Sequence, residues 1–327
     1  MTGTSTASGT ALLDAARFAD LVTLGTRAPS LHNSQPWLFR RNGDAVEILA
    51  DPGRALTATD PSGWGLRIAV GAAAYNVRLG YALLGRRAEA EAYPEPGEEH
   101  LLVRVRPVAQ RPATPAERTV ADAIPRRHTN RRPYLETAVP AATLAALAAA
   151  AGAEGCRLTV LDGRAAGEVA ELIRAADETL EGRPEYAAER RAWMRGRPAA
   201  DGVRADRLTG RPDPDERLRR RDFGARLGTP IRRYESDPCL AVLSSDGSGR
   251  HQELRAGQAL QHVLLRATAA GVTSSLFSQP IEVSSARARL ATLCGGGTPQ
   301  MVVRLGFGVA HDPTPRRPIE DVVLLHR

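Results

Sequence analysis

The most informative stretch of the chain reads Ala28-Pro29-Ser30-Leu31-His32-Asn33-Ser34-Gln35-Pro36-Trp37-Leu38-Phe39. Its two prolines fix their own φ angles and restrict the residues before them, so the segment between them is predicted to be a stiff loop rather than a helix. Ser30, Asn33 and Gln35 supply short hydrogen-bond donors and acceptors, and Trp37 begins an alternating strand. The pattern favours a ligand-contacting loop at the end of a buried sheet. The alternative is that these polar side chains only cap and turn the backbone.

Helical and strand patterns alternate on both sides of this loop. Residues 11–24 have apolar side chains at helical spacing, and Gly25 is expected to end that helix. Residues 37–41 and 45–50 predict a hairpin, and a long helix rich in Ala and Gly is expected over 66–84. The remaining predicted elements are strands at 88–93, 101–106, 156–161, 239–244 and 300–305, and helices at 141–151, 168–180, 184–195 and 254–270. This mixture predicts an α+β protein.

Composition excludes several classes of function. The 327 residues carry a formal net charge of +7, but the basic residues are dispersed and only 4% of residues are aromatic, so we expect no nucleic-acid partner. All 44 basic residues are arginine, which excludes Schiff-base chemistry through a lysine amine. The three cysteines show no metal-ligand spacing, so we expect no metal. No segment has the pattern of a signal peptide or a membrane span, so we expect no membrane partner and a cytoplasmic location.

Two of the helical stretches are similar to each other. Residues 71–85 (GAAAYNVRLGYALLG) and 257–271 (GQALQHVLLRATAAG) share their first and last glycines. They also agree at three positions between these, which are Ala73 with Ala259, Val77 with Val263 and Leu79 with Leu265. The similarity indicates two related halves, although five agreements in a window rich in Ala and Gly also arise by chance.

The pattern Pro29-Ser30-x-x-Asn33-x-Gln35-Pro36-Trp37-x-Phe39 resembles the flavin loop of the nitroreductase superfamily, and with His32 it is closest to the Acg-type branch. The resemblance implies a nitroreductase-like three-layer sandwich in which two halves form a fused pseudo-dimer. We expect the first half over 1–110 and the second over 111–327, with a helical insertion at about 165–228. Within that insertion, residues 182–221 are the candidate for a lid, and a solvated surface excursion is the alternative.

Three further motifs resemble parts of the same family's flavin site. Arg127-His128-Thr129-x-Arg131 is similar to its phosphate motif, for which a solvated basic turn is the alternative. The tail containing Arg316-Arg317 resembles its basic C-terminal motif. Ser278-Gln279-Pro280-Ile281-Glu282 resembles the segment near flavin N5, although Val283 stands where the family usually has glycine. That departure puts a close approach of the backbone in doubt.

The resemblance implies one FMN per chain, held between the halves, with NAD(P)H as the electron donor. The expected FMN-binding residues are Pro29, Ser30, Leu31, Asn33, Gln35, Arg127, His128, Thr129, Arg131, Pro280, Ile281, Glu282, Arg316 and Arg317. No side chain is expected to act as a catalytic acid or base, because flavin N5 carries the chemistry. The reciprocal site should be inactive, because neither motif recurs in the other half. We expect a monomer, with a loose homodimer as the alternative.

The function implied is that of an FMN-dependent NAD(P)H oxidoreductase, which passes hydride through flavin N5 to a small-molecule acceptor such as a nitroaromatic or a quinone. Two alternatives keep the flavin. In one, a lidded protein sequesters FMN with little turnover. In the other, a flavin-dependent oxidase or dehydrogenase acts in a biosynthetic pathway.

Overall fold

The computed structural model describes residues 13–196, 199–204, 218, 235–308 and 314–324. The first group of elements in chain order is α1 (Ala15–Thr26), β1 (Trp37–Asn42), β2 (Ala45–Ala50), α2 (Trp64–Leu83), β3 (Arg86–Ala92) and β4 (Leu101–Gln110). Their four strands form an antiparallel sheet, sheet A, in the order β1-β2-β4-β3. The predicted hairpin of β1 and β2 is confirmed, with Asn42 paired to Ala45 at its turn.

The second group begins with the helices α3 (Pro115–Ala121) and α4 (Ala141–Ala153). It continues with β5 (Cys156–Val160), α5 (Gly163–Glu181), α6 (Pro184–Ala192), β6 (Met194–Arg195), β7 (Val203–Arg204), β8 (Cys239–Ser245), α7 (Arg250–Ala269), β9 (Thr273–Phe277), α8 (Gln279–Glu282), α9 (Ser284–Leu293) and β10 (Thr298–Gly306). Sheet B is antiparallel and has the order β5-β8-β10-β9. The predicted α+β class is therefore confirmed.

The two long helices lie between the two sheets. Helix α2 packs on the strands of sheet A and α7 packs on those of sheet B, while α2 and α7 pack on each other. The result is a sheet, a helical layer and a second sheet, as the resemblance implied. Buried aliphatic side chains form one core under each sheet, and Ile68 of α2 belongs to the core of sheet B while Leu254 of α7 belongs to the core of sheet A. Each central helix therefore contributes a side chain to the core of the opposite sheet.

The two halves repeat one order of elements. The series α1-β1-β2-α2-β3-β4 matches α4-β5-β8-α7-β9-β10, and matching strands hold matching places in their sheets. Helices α5 and α6 are an insertion between β5 and β8 of the second half, where the first half has only the turn of a hairpin. The expected pair of fused halves is therefore present in the fold.

The helix crossing relates the halves by a pseudo-two-fold axis. Gly71 of α2 and Gly257 of α7 meet there, and a Cβ atom on Gly257 would lie 2.9 Å from the Gly71 Cα. A Cβ on Gly71 would overlap the Leu254 carbonyl, and one on Gly257 would overlap the Ile68 carbonyl, three residues earlier in the opposite helix in each case. Such reciprocity is the mark of an isologous contact, as found in two-fold symmetric dimers. It shows that the first glycine of each repeat, Gly71 in α2 and Gly257 in α7, is required for the close packing of the two helices.

Polar pairs on the same helices obey the same symmetry. Gln261 Nε2 donates to Asn76 Oδ1 over 2.8 Å. The rings of Tyr75 and His262 stack at 4.9 Å between their centroids. In the register that matches Gly71 with Gly257, the first pair is the symmetry mate of the second. His262 is therefore packed against Tyr75 in the helical layer.

Some local predictions were wrong or incomplete. Gly25 does not end α1; it lies buried within the helix, where a Cβ would come within 2.9 Å of the Phe39 ring. Helix α1 begins at Ala15, because the Asp14 side chain accepts from the Arg17 N–H and caps it. Strand β9 and helix α9 were not predicted. Strand β9 was missed because it carries the buried polar residues Ser274 and Ser275, which conceal its strand pattern.

The C-terminal segment returns to the first sheet. The Phe39 N–H donates to Val322 O over 2.7 Å, and the Leu324 N–H donates to Phe39 O over 2.8 Å. Strand β4 ends at Gln110, next to the expected division of the chain into 1–110 and 111–327, and that division remains a prediction. Among the described residues, no helix is both long and apolar enough to span a membrane.

Candidate functional site

Residues 27–36 connect α1 to β1 and contain three unusual backbone conformations. His32, Asn33 and Gln35 have φ values of 50°, 54° and 52°, in the left-handed region that favours glycine. Each such residue costs on the order of 1–3 kcal/mol and persists only where surrounding contacts impose it. One of these contacts is internal, because Ser30 Oγ accepts from the Gln35 N–H over 3.0 Å. A strained loop of this kind is typical of a functional site.

The side-chain amides of the loop contact two distant segments. Asn33 Nδ2 donates to the carbonyls of Gly202 and Pro315, both at 3.3 Å. Gln35 Nε2 donates to Ala200 O over 2.8 Å, and Gln35 Oε1 accepts from the Arg317 N–H over 2.8 Å. Within the described ranges, these bonds leave Asn33 Oδ1 and the hydroxyl proton of Ser30 without a partner. The loop therefore keeps one acceptor and one donor for a ligand.

Arginines converge on the C-terminal end of α1. Arg316 donates through Nε to Thr26 O over 2.7 Å and through Nη2 to Arg27 O and Ala28 O. Its Nη1 donates to Thr314 O and Pro315 O, so all five N–H bonds of Arg316 are used. Cations at a helix C-terminus are favourable because the exposed carbonyls there carry partial negative charge.

Arg127 joins this cluster but is not satisfied. The residue is 5% exposed, and its Nη2 donates to Arg27 O over 3.2 Å. Its Nε and Nη1 are buried and have no hydrogen-bond partner among the described residues. Burial lowers the pKa of Arg127 to about 10. The side chain is therefore a desolvated cation, and the three N–H bonds of its Nε and Nη1 are unused among the described residues.

The cluster lacks a counter-charge. Burial, together with the neighbouring positive charges of Arg127 and Arg27, lowers the pKa of Arg316 to about 9. No carboxylate within the described ranges pairs with any of these three arginines. An anion bound between them would relieve their repulsion and use the N–H bonds of Arg127. Sequence reasoning missed Arg27, although it stands directly before the quoted loop and could have been noticed there.

The tail arginines differ in their partners. Arg317 Nη1 donates to Asp51 Oδ2 over 3.1 Å, and its Nη2 donates to Asp321 O over 2.6 Å. Its charge is therefore compensated within the protein, whereas that of Arg316 is not. Only Arg316 of the pair is available as a positive charge for the cluster. The assignment of both residues to a phosphate site stays a prediction.

The rest of the segment after Arg127 runs beside β9. Thr129 forms a parallel bridge with Ser274, and the Asn130 N–H donates to Ser274 O over 2.9 Å. His128 Nδ1 lies 2.9 Å from Arg126 O. Arg131 is half-buried in the same segment. The motif from the second half and the loop from the first half thus meet through Arg127, while the roles of His128, Thr129 and Arg131 stay predictions.

Helix α8 holds Pro280, Ile281 and Glu282. The amide N–H groups of Ile281 and Glu282 both donate to Ser278 O, at 2.8 and 3.1 Å, so they are used within the turn. Val283 has a φ of −111°, which any residue adopts, so its substitution for glycine causes no strain. The expected approach of Pro280, Ile281 and Glu282 to a flavin stays a prediction.

The apolar members of the loop are partly or fully buried. Pro29 is buried, and Leu31 is half-buried against the core of sheet B. A Cβ on Gly65, in the first turn of α2, would overlap the Leu31 side chain. Trp64 next to it is buried and donates from Nε1 to Gln300 Oε1 over 2.8 Å.

A covering segment, defined as residues 184–196 and 199–204, lies against the loop and the turn that follows β2. Asp201 pairs with Arg54, and Arg195 Nε donates to Asp201 Oδ1 over 2.9 Å. The Glu189 carboxylate accepts from the amides of Ala58 and Thr59 at 3.1 and 2.8 Å. Together with the bonds from Gly202 and Ala200 described above, these contacts hold the segment over the loop. The rest of the predicted lid, at 197–198 and beyond 204, lies outside the described residues apart from residue 218.

Asp60 lies beside the first turn of α2 and close to Leu31. The pKa of Asp60 is raised to about 6, chiefly by burial. The amides of Gly65 and Leu66 and the charge of Arg67 oppose the rise, and the Glu282 carboxylate adds to it. The folded protein therefore binds a proton more tightly here than the unfolded chain does. The stability that this proton contributes is present below about pH 4 and is lost as pH rises through about 6.

We expect this pH-dependent loss of stability to appear when the wild type is compared with Asp60→Asn, whose side chain cannot ionise. The free energy of unfolding of the wild type, relative to the variant, should fall by up to about 3 kcal/mol between pH 4 and pH 7. Urea titrations of both proteins across that range measure the difference. Parallel pH dependences would show that Asp60 does not titrate in this window.

Comparisons with known proteins agree with the sequence resemblance. No protein-family model matches the chain. It is 33% identical to a Mycobacterium tuberculosis protein named "Putative NAD(P)H nitroreductase Rv3131", over 95% of this chain and 92% of that protein. It is 32% identical to "Putative NAD(P)H nitroreductase acg" of the same organism, over 92% of this chain and 93% of that protein.

Among solved structures, the chain is similar to a nitroreductase with bound FMN from Desulfitobacterium hafniense. The two share 18% sequence identity and a TM-score of 0.41, over 64% of this chain and 98% of the other. The two mycobacterial relatives are much more similar to the chain than this structure is. Because the chain exceeds 30% identity to both and spans nearly their full length, it belongs to the nitroreductase family, in the group that includes Acg.

Proposed function

We propose that this chain is an FMN-dependent NAD(P)H oxidoreductase that reduces nitroaromatic, quinone or related conjugated acceptors. The observation that carries the proposal is the guanidinium of Arg127, which is buried, charged and has Nε and Nη1 without partners within the described residues. A phosphate dianion matches such a group, because forked N–H donors pair with its oxygens and its charge offsets the arginines. The family membership supports the same cofactor.

Different residues of the site would contact the phosphate and the ring of FMN. Arg127 would hold the phosphate directly, and Arg27 and Arg316 would add positive potential. The Ser30 hydroxyl and Asn33 Oδ1 would meet the edge of the ring, where donors and acceptors alternate. When bound, FMN supplies hydride exchange at N5 between a nicotinamide and the acceptor. No acidic or basic side chain of this chain is needed as a catalyst for that exchange.

A visible absorption spectrum of the purified protein, followed by anaerobic addition of NADPH or NADH, tests this function. We expect a bound flavin at about one per chain that bleaches when the nicotinamide is added. A protein that neither retains flavin nor takes up added FMN would contradict the proposal. A flavin that stays oxidised with both nicotinamides would favour the second candidate.

The second candidate is FMN sequestration, and the covering segment is the observation that favours it. Its carbonyls at Ala200 and Gly202 accept from the loop amides, and Asp201 pairs with Arg54. A segment held in this way would exclude a nicotinamide from the ring while it is closed. The two candidates then differ in how often the segment opens rather than in what it covers.

Opening should become easier in Asp201→Asn, because the variant removes the charge that holds Arg54 and Arg195. The two charge-assisted bonds are partly exposed, so we expect an effect of about tenfold on the rate at which NADPH reduces the bound flavin. Stopped-flow absorbance under anaerobic conditions measures that rate. Glu171→Gln, which removes an exposed pair with Arg174 on α5, is the matched control and should leave it unchanged. Equal rates in all three proteins would show that the segment does not limit access.

A further inference from the structure

A second cleft occupies the place related by the pseudo-two-fold axis to the arginine cluster. The cluster lies at the C-terminal end of α1 and beside the start of β9. The cleft lies at the C-terminal end of α4 and at the start of β3, which are the matching elements of the other half. It has a volume of about 490 Å³, within the range of sites for small molecules.

The cleft cannot hold a flavin as the first site would. Residues 154–155 join α4 to β5, where the first half has the whole loop of residues 27–36 between α1 and β1. Among the residues that the structure describes, no polar loop covers the cleft as residues 27–36 cover the first site. Its walls include small side chains of α4, such as Ala146, Ala149 and Ala153, which leave the space open.

Its charge is strongly biased. Of the residues that the structure describes, five arginines and three glutamates line the cleft. All three carboxylates are already paired, in the pairs Arg78–Glu154 at 2.7 Å, Arg87–Glu89 at 2.9 Å and Arg111–Glu117 at 2.5 Å.

Two cations remain. Arg86 and Arg266 are half-buried, and neither guanidinium has a hydrogen-bond or carboxylate partner in the part of the chain that the structure describes. Two unpaired guanidinium groups at one cleft match a ligand with two negative charges. The alanines beside them match an apolar body attached to that charge.

We propose that this cleft binds a small organic dianion, with a phosphate monoester or paired carboxylates held by Arg86 and Arg266 and an apolar body against the alanines of α4. Such a ligand would contact α2, α4 and α7 together and would not compete with FMN at the first site. The inference does not depend on the proposed redox function, because it uses none of the residues of the first site.

Calorimetric titration of the purified full-length protein tests the proposal, with phenyl phosphate, phthalate and inorganic phosphate as probes. We expect saturable binding of at least one of the two aromatic dianions, tighter than that of inorganic phosphate because of the apolar body. Phenyl phosphate and phthalate distinguish a phosphate from a dicarboxylate as the preferred head group. Absence of saturable binding by both aromatic dianions would overturn the proposal.

Variants locate the binding. Arg86→Gln and Arg266→Gln should each raise the dissociation constant at least tenfold. Arg164→Gln, whose side chain is 90% exposed on α5, removes the same charge away from the cleft and should not change it. Unchanged binding in both cleft variants, or binding that is lost instead in Arg127→Gln, would place the anion elsewhere and overturn the assignment.

Discussion

Replacing Arg127 by glutamine should weaken the binding of FMN by about 100-fold. The guanidinium is 5% exposed, and its Nε and Nη1 have no other partner among the described residues, so its unused N–H bonds are available to a phosphate. A charge-assisted hydrogen bond contributes about 1.5–3 kcal/mol, so the loss of two bonds at the lower end of that range, about 3 kcal/mol together, gives a change of this size. Equilibrium titration of the flavin-free protein, followed by flavin fluorescence, measures the dissociation constant.

Riboflavin provides the sharpest control, because it has the same ring and ribityl chain without the phosphate. If Arg127 contacts the phosphate, Arg127→Gln should leave the affinity for riboflavin unchanged while the affinity for FMN falls towards it. Arg126→Gln is the matched protein control, since Arg126 is exposed and next in sequence. An equal loss of affinity for both flavins would show that the substitution disturbs the site in general.

In the flavin-free protein, the same substitution should not be harmful to stability. A buried cation without a counter-charge destabilises the fold, and the positive charges of Arg316 and Arg27 add repulsion. The flavin-free variant should therefore be at least as stable to urea as the flavin-free wild type. A marked loss of stability would mean that Arg127 holds the fold together rather than waiting for an anion.

The resemblance to a known family predicted which motifs meet, because each motif resembles a part of that family's flavin site. The loop around Asn33 comes from the first half and Arg127 from the second, and they do converge at the end of α1. The roles within the cluster could not be predicted, since they depend on distant partners. Arg316 and Arg317 are adjacent and chemically identical, yet Asp51 neutralises only Arg317, and that contact spans most of the chain.

The packing partner of a glycine could not be predicted from the sequence. The repeat matched Gly71 with Gly257, but a pattern within one helix does not show which residues pack against it. Gly25 was expected to stop a helix, because glycine often does. In the structure it makes room for the Phe39 ring instead, and only the packing of β1 against α1 reveals that.

Gly71→Ala should lower the free energy of unfolding by about 3 kcal/mol, a large value for one methyl group. The added Cβ would overlap the carbonyl of Leu254, which belongs to the backbone of α7 and cannot rotate away as a side chain can. The two central helices would have to separate, and the buried side chains on both sheets would lose contact. Gly152→Ala is the matched control, because Gly152 lies in α4 with open space around it and alanine there should add about 0.5–1 kcal/mol.

The pseudo-two-fold symmetry of the helix crossing predicts a similar effect at the matching glycine of α7. Gly257→Ala should cost nearly as much as Gly71→Ala, because each Cβ meets the backbone of the opposite helix in the same way. Their effects should not add, since helices that the first Cβ has already moved apart accept the second at lower cost. Urea titration of both single variants and the double variant measures this coupling. Two full and additive losses would show that the glycines act independently, and the reciprocal contact inferred at the centre of the fold would be wrong.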